Sequence, residues 1–389
     1  MRSLAILPGC IVLFAVLWDA FETIILPRRI SRKFRLTRLF YRSTWPPWRA
    51  LSRLFRHANR RELFLSLYGP LSLLFLLIVW AAGLIIGFAL LHWVDGSAFQ
   101  TANGQVSLTT DLYLSGSTFF SLGLGGVAPR GAFARALVVV EAGIGFGFLA
   151  MAISYLPVIY QVFSRREITI SLLDARAGSP PTAAELLRRL RQDHRVEGLQ
   201  QLLQEWERWS AELLESHLSY PMLAHFRSQH DNQSWLGALT AILDTSAFLI
   251  AVLDGPDRYQ AKLTFAISRH AAVDLARMFP IPPRKLAGTR LSSNELTQLR
   301  IHLATVGMTL REDSGADERL TRLRQMYEPY LLALSRYFSF GLPPWLPVQQ
   351  ASDNWRTSAW DRVVAPRGDN NEVGSTDSFE HELFGRGAR

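Results

Sequence analysis

The sequence has a single cysteine, Cys10, among its 389 residues. One thiol can form neither an intrachain disulfide nor a thiolate metal cluster, so the cysteine content does not favour a redox function. After about residue 164 there is no alternating strand pattern and no strand-turn-helix glycine fingerprint, which argues against a nucleotide-binding Rossmann unit. His217, His225 and His230 with Glu215 match no recognised zinc spacing, and ordinary histidines of a helical domain are favoured. We therefore expect no enzyme, no metal site and no cofactor.

Charge and hydropathy point to a membrane. The formal net charge is +9 at pH 7 and the mean hydropathy is slightly positive, at +0.09. The arginines concentrate at 28–61, between two apolar runs, which is typical of membrane topology and argues against nucleic acid as the partner. This basic amphipathic segment predicts contact with anionic lipid headgroups.

Three apolar runs are long enough to cross a hydrocarbon core of about 30 Å. The first, 4–26, lacks a signal-peptide cleavage site and contains Asp19 and Glu22, so we favour its retention as a membrane helix over removal as a leader. An ion pair with a connector arginine is the preferred explanation for Asp19. The predicted segments are an N-terminal transmembrane helix at 1–27, a basic cytoplasmic connector at 28–62, a pore domain at 63–163, a helical cytosolic domain at 164–348 and a disordered tail at 349–389. Within the pore domain, we predict crossings at 63–94 and 132–163 on either side of a pore loop at 111–130.

Orientation follows from the arginines. The connector and Arg165-Arg166 lie on the cytoplasmic side by the positive-inside rule, whereas the loop at 95–110 has no lysine or arginine. We predict a multi-pass protein of the plasma (inner) membrane with its N-terminus outside. The run 235–253 is the rival element: it is either a fourth crossing or a buried helix of the cytosolic domain, and we favour the buried helix because Asp244 interrupts it.

The segment between the second and third crossings is too short to span the bilayer twice. A re-entrant segment is tolerated only where protein or a water-filled pore shields its backbone. Its sequence Ser121-Leu122-Gly123-Leu124-Gly125-Gly126 resembles the filter motif T-V-G-Y-G-D of potassium channels, with Thr118 and Pro129 also at positions common in that family. The chain is thus similar to the potassium-channel-like pore-loop channels, with an extra N-terminal helix.

The resemblance implies an all-α membrane protein with a potassium-channel-like pore domain and an α-helical cytosolic domain. It implies a homotetramer, because one loop cannot enclose an ion, and K⁺ as the permeant ion. The functional residues implied are the filter residues Ser121, Leu122, Gly123, Leu124 and Gly125, the filter supports Thr118, Glu141 and Gly126, and the inner gate or hinge residues Gly143, Gly147 and Pro157.

Several of these assignments have alternatives. Leu124 and Gly126 replace the family's tyrosine and aspartate, which predicts a different internal support for the filter and leaves a non-selective cation channel open. Glu141 is either a brace behind the filter, to Ser115 or Thr118, or a helix-helix hydrogen bond without a role in permeation. Glycines 143, 145 and 147 suit close helix packing better than a hinge.

The predicted function is passive potassium conduction, gated through the cytosolic domain by an unknown ligand or protein. No arginine-rich voltage-sensor helix is present, so steep voltage gating is not expected. The rivals are a non-selective cation channel with the same pore and a non-conducting membrane-anchored sensor or scaffold.

Overall fold

The chain divides into two compact units, Met1–Ser164 with Ser216–Arg227, and Arg165–Glu215 with Ser228–Arg389. The computed structural model describes residues 2–26, 35–94, 99–101, 107–123, 127–129, 131–192, 196–230, 232–252, 256–284, 288–308 and 315–347. The predicted tail at 349–389 lies outside these residues. Four helical segments in the described part are long and apolar enough to cross a membrane, namely Ile6–Ile25, Ala58–Val94, Ala132–Ala177 and Trp235–Val252.

The first unit contains the predicted crossings. A 3₁₀ turn at Arg2–Ala5 leads into α1 (Ile6–Ala20), which ends in a π-helical turn at Phe21–Ile25. The connector forms α2 (Leu36–Ser52) and α3 (Ala58–Ser66). The predicted second crossing at 63–94 contains α4 (Tyr68–Val94), which follows the end of α3 after a turn at Leu67. Pro70 lies in its first turn, where a missing N–H costs no helical hydrogen bond.

Helix α1 packs closely along α4. A methyl group added to Gly87 of α4 would come within 2.6 Å of the Leu13 side chain, and one added to Gly83 within 2.8 Å of Val16. Small residues at these points let the two backbones approach, as is usual between membrane helices. The extra N-terminal helix is therefore an integral part of the first unit.

The short pore segment begins and ends beside a small strand pair. Strand β1 (Phe99–Thr101) pairs antiparallel with β2 (Val127–Pro129), with Gln100 opposite Ala128. Between them lies helix α5 (Leu108–Phe119), and after them α6 (Ala132–Ala177), which continues beyond the predicted end of the third crossing at 163. Apart from these six residues, the part of the chain that the structure describes contains no strand, and the predicted all-α fold is confirmed.

The second unit is helical. Its described elements are the end of α6 from Arg165, α7 (Ala183–Gln192), most of α8 (Val196–Ser219), α9 (Trp235–Val252), α10 (Pro256–Met278), α11 (Ser293–Ala304), α12 (Ala316–Gln325) and α13 (Glu328–Phe338). Hydroxyl side chains cap two of these helices: the Glu295 N–H donates to the Ser292 hydroxyl, and the Glu185 N–H donates to the Thr182 hydroxyl at 3.2 Å. Leu299 and Leu303 of α11 are buried and lie four residues apart, on one face of the helix.

Helix α9 is the segment that rivalled the cytosolic assignment as a fourth crossing. All of its residues from Trp235 to Val252 are buried, and α7, α10, α12 and α13 pack around it. Its one carboxylate, Asp244, pairs with Arg290 at 2.7 Å and accepts the Tyr327 hydroxyl at 2.6 Å. A helix enclosed by protein on all sides has no lipid-facing surface, so the structure favours the buried-helix interpretation.

Candidate ion pore

Helix α5 is the re-entrant helix that the sequence predicted between the crossings. Ser107 and Thr110 form hydrogen bonds across its first turn, as in a capping box, and it packs against α4. Its 12 residues extend only about 18 Å at 1.5 Å per residue, so it cannot cross the bilayer. The chain must therefore leave on the side from which it entered.

The backbone turns sharply at the end of α5, where the predicted filter begins. The N–H of Ser121 donates to the Thr118 carbonyl at 2.9 Å, and the N–H of Leu122 donates to the Ser117 carbonyl at 2.8 Å. Ser121 and Gly123 have positive φ values of 53° and 61°, whereas Leu122 between them does not. Left-handed backbone is costly for a residue with a side chain, and such strain is concentrated at functional sites.

A path lined by carbonyl oxygens requires a backbone in which left-handed and right-handed φ values alternate. Residues of alternating hand direct successive carbonyl groups to one side of the chain, and glycine adopts the left-handed region at no steric cost. Leu124, Gly125 and Gly126, the rest of the predicted filter and one of its supports, lie outside the described residues. The described part of the motif is Ser121 to Gly123.

The start of the filter is uncovered in the single chain. The side chains of Phe120 and Leu122 are 54% and 58% exposed, and Ser121 and Gly123 are exposed too. These two apolar side chains are therefore available for contact with lipid or with another chain.

Behind the pore helix, Glu141 of α6 joins three elements. Its Oε2 lies 3.0 Å from Nε2 of His92 in α4, and its Oε1 accepts a short hydrogen bond from the Ser115 hydroxyl of α5. The Ser115 hydroxyl is also within hydrogen-bond distance, 2.8 Å, of the Ile85 carbonyl. All three side chains are fully buried. A carboxylate at this depth requires such partners, and here they tie the pore helix to both crossings.

The Ser115 contact answers one of the alternatives left by the sequence. Glu141 accepts its hydrogen bond from the Ser115 hydroxyl, and in the described part of the chain none joins it to the Thr118 hydroxyl. That Glu141 and Thr118 support the filter remains a prediction. His92 was missed by the sequence reasoning, although an ionisable residue within the apolar helix α4 is a signal in its own right.

The three glycines of α6 differ in their surroundings. A methyl group on Gly145 would collide with the Phe119 carbonyl group at the end of α5, whereas one on Gly143 or Gly147 would meet no atom within 4 Å. Close packing, as favoured from the sequence, thus applies to Gly145. Gly143 and Gly147 are exposed in the chain, and α6 runs continuously through Pro157. A gate or hinge at Gly143, Gly147 and Pro157 remains a prediction.

The acidic residues of the first crossing have partners, as predicted. Asp19 accepts hydrogen bonds from the Thr37 hydroxyl at 2.6 Å and the Trp80 indole at 3.0 Å, and it lies 4.0 Å from the Arg35 guanidinium. Glu22 lies 3.5 Å from the same guanidinium. The predicted ion pair with a connector arginine is confirmed, and it fixes the end of α1 to α2.

The histidines do not form a metal centre in the described part of the chain, where no group of three potential metal-ligating side chains occurs. His225 is instead enclosed by the rings of Tyr41, Trp45 and Tyr68, with centroid distances of 5.1 to 5.2 Å. Burial, with the nearby Arg227, lowers the pKa of His225 to about 3, so the ring is neutral.

Residues 73–161, which contain the pore helix, the described filter residues and Glu141, match the family model described as "Ion channel". The resemblance to a pore-loop channel family is thereby confirmed, and the chain contains an ion-channel domain of that family. A stretch of 199 residues is 27% identical to the "Uncharacterized membrane protein YdjJ" of Bacillus subtilis (strain 168), which covers 50% of this chain and 57% of that protein. The chain thus spans little more than half of that relative's length. No solved structure matches the chain significantly.

Proposed function

We propose that the protein is a potassium channel whose pore is formed by four copies of the segment Thr118 to Gly126 around a common axis. The observation that carries this proposal is the alternating backbone hand at Ser121, Leu122 and Gly123, directly after a re-entrant helix. Four such segments would present rings of carbonyl oxygens that replace the hydration shell of a cation.

The carbonyl groups of Ser121, Leu122, Gly123 and Leu124, with the Ser121 hydroxyl, form the ion sites in this proposal. A single loop offers oxygens from one side only, so a homotetramer is required. The exposed Phe120 and Leu122 side chains support it, because a neighbouring copy would cover them.

Selectivity for potassium needs a filter whose backbone keeps its spacing. The family's tyrosine and aspartate are replaced here by Leu124 and Gly126. We assign their bracing role to the buried contact of Glu141 with Ser115 and His92, which anchors the pore helix from behind. The same substitutions favour the second candidate, a non-selective cation channel with the same pore.

The topology proposed is a plasma (inner) membrane protein with its N-terminus outside and the second unit in the cytoplasm. The arginines of the connector, on α2 and α3, then lie at the cytoplasmic surface, where anionic headgroups attract them.

We infer that gating through the helical domain acts by way of the segment Ser216–Arg227, here called the clip. The clip belongs to the first unit although it follows α8 of the second in sequence. Its Phe226 packs on Phe163 of α6 and against Gly69 of α4, and its Arg227 forms an ion pair with Glu62 of α3. Movement of α8 would thus displace α6, the third crossing, and the connector together. Its trigger is an unknown ligand or protein.

The test uses full-length purified protein in liposomes and planar bilayers. We expect cation flux, a reversal potential close to that of potassium in mixed potassium and sodium, and a particle mass of four chains. Gly123→Ala should abolish flux because alanine disfavours the left-handed backbone by about 1 kcal/mol or more. Gly116→Ala is the matched control, since its methyl group meets nothing within 4 Å.

Three other outcomes are informative. A reversal potential near zero in the mixed solutions would favour the non-selective channel. Absence of flux from folded tetramers would favour the scaffold. Equal flux from the Gly116→Ala and Gly123→Ala proteins would contradict the assignment of the filter.

A further inference from the structure

A cavity of about 790 Å³ lies between α1 and the beginning of α2. On α1 its wall includes Ile11, Phe14, Ala15 and Trp18, which recur at helical spacing and so form one stripe along the helix. On α2 its wall includes a row of arginines. The cavity is therefore lined by an apolar stripe of α1 and by arginines of the α2 segment, and neither the pore nor the clip uses it.

The charges of these arginines are not all available. Arg35 is engaged by Asp19 and Glu22, and these two carboxylates also accept hydrogen bonds from Trp80 and Trp18. Their charges are thus largely satisfied within the protein.

Arg38 and Arg42 of α2 remain. They lie four residues apart and so on one face of the helix, and both are exposed. No carboxylate of the described residues lies within ion-pair distance of either guanidinium. Within the described residues, two adjacent cations without a carboxylate partner thus line the same cavity as an apolar stripe, an arrangement that suits a ligand with an anionic head and an apolar tail.

The length of the cavity fits one leaflet of a bilayer. Its residues on α1 run from Cys10 to Glu22. Twelve steps of 1.5 Å make this wall about 18 Å long. Half of a hydrocarbon core of about 30 Å is about 15 Å. A single acyl chain of one leaflet therefore matches the slot.

We propose that this cavity binds one anionic phospholipid, with an acyl chain along Phe14, Ala15 and Trp18 and its phosphate at Arg38 and Arg42. A free inorganic anion would leave the apolar stripe uncovered, and a zwitterionic lipid would bring a further cation next to the arginine pair. The site depends on α1 lying in the membrane as proposed, and it does not depend on ion conduction.

The experiment measures lipid retained by detergent-purified full-length protein in native mass spectrometry, titrated with phosphatidylglycerol or phosphatidylcholine. We expect saturable binding of about one phosphatidylglycerol per chain and weaker binding of phosphatidylcholine. Arg38→Gln with Arg42→Gln should weaken phosphatidylglycerol binding about thirtyfold, since each basic side chain contributes about fivefold. Arg53→Gln with Arg56→Gln is the control, because it removes the same charge from the connector away from the cavity.

A second variant tests the slot without changing charge. Ala15→Trp fills the apolar part and should also reduce phosphatidylglycerol binding, while size-exclusion chromatography checks that the protein stays folded. Equal binding to both arginine-pair variants would overturn the assignment of the headgroup site. Undiminished binding to folded Ala15→Trp protein would overturn the assignment of the slot. Equal affinity for the two lipids, displacement by millimolar inorganic phosphate, or occupation of the cavity by a second copy of the chain would each overturn the choice of an anionic lipid. Ion flux is measured separately, so a failure of the pore proposal would leave the lipid result interpretable.

Discussion

Gly145 is the position where a single methyl group should do most damage to the pore. The added carbon in Gly145→Ala would lie 2.8 Å from the carbonyl carbon of Phe119 and 2.9 Å from its Cα, and closer still to the carbonyl oxygen. Carbon atoms in contact prefer separations of about 3.5 to 4.0 Å. The helices α5 and α6 must therefore separate by about 1 Å, because the obstacle is backbone and cannot rotate away.

The cost follows from this geometry. Overpacking a well-packed site costs about 1 to 3 kcal/mol, and contact with backbone places Gly145→Ala near the upper value. The displaced atoms belong to Phe119, two residues before Ser121, so the filter moves with them. We expect a lower unfolding temperature, by tryptophan fluorescence in detergent, and loss of ion flux.

The neighbouring glycines provide the controls. Gly143→Ala and Gly147→Ala add a methyl group with no atom of the described chain within 4 Å, so both proteins should unfold like the wild type. If Gly147 is a hinge, its variant should alter channel opening with no change in unfolding. Equal unfolding temperatures for Gly145→Ala and Gly147→Ala would refute the close contact of α5 with α6.

Three further predictions concern buried polar groups. Glu141→Ala removes the carboxylate that Ser115 and His92 share, so it should cost about 3 to 5 kcal/mol of unfolding free energy and lower the potassium-to-sodium permeability ratio. Glu141→Gln keeps an acceptor for Ser115 and should lose less stability. Equal losses of stability in the two variants would contradict this role. Asp19→Ala should cost about 3 kcal/mol in denaturant unfolding, because Thr37, Trp80 and Arg35 lose a common partner, and an unchanged midpoint would show that the cluster is not stabilising. For His225, burial depresses the folded pKa to about 3 against 6.5 unfolded, so its stabilising contribution is complete above pH 6.5 and is lost progressively as the pH falls towards 3. Between pH 6.5 and 5 the wild type should therefore lose about 2 kcal/mol more than His225→Gln, and parallel pH profiles would exclude this origin.

Much of the first unit could be predicted from local pattern. The crossings were found because uninterrupted apolar runs of this length have few other uses, and the re-entrant segment because it is too short to span. The sequence predicted that the partner of Asp19 is an arginine of the connector, because a buried carboxylate next to a basic segment has few other possible partners. Which arginine it is, Arg35, required the structure.

The contacts that the sequence did not predict join distant positions. His92 and Glu141 are 49 residues apart, and nothing in a one-dimensional pattern pairs them. The clip was hidden for a different reason. Its buried residues Met222, Leu223 and Phe226 are apolar, like those of any helical-domain core. Only the tertiary fold shows that they pack within the first unit.

The most direct test of the central claim is the structure of the full-length protein purified in potassium and reconstituted in lipid. Our account predicts four chains around one axis, with separate ion densities along that axis at the level of the Ser121, Leu122 and Gly123 carbonyls. An assembly without a central axis, or one in which these carbonyls face lipid or bulk water with no density beside them, would contradict it.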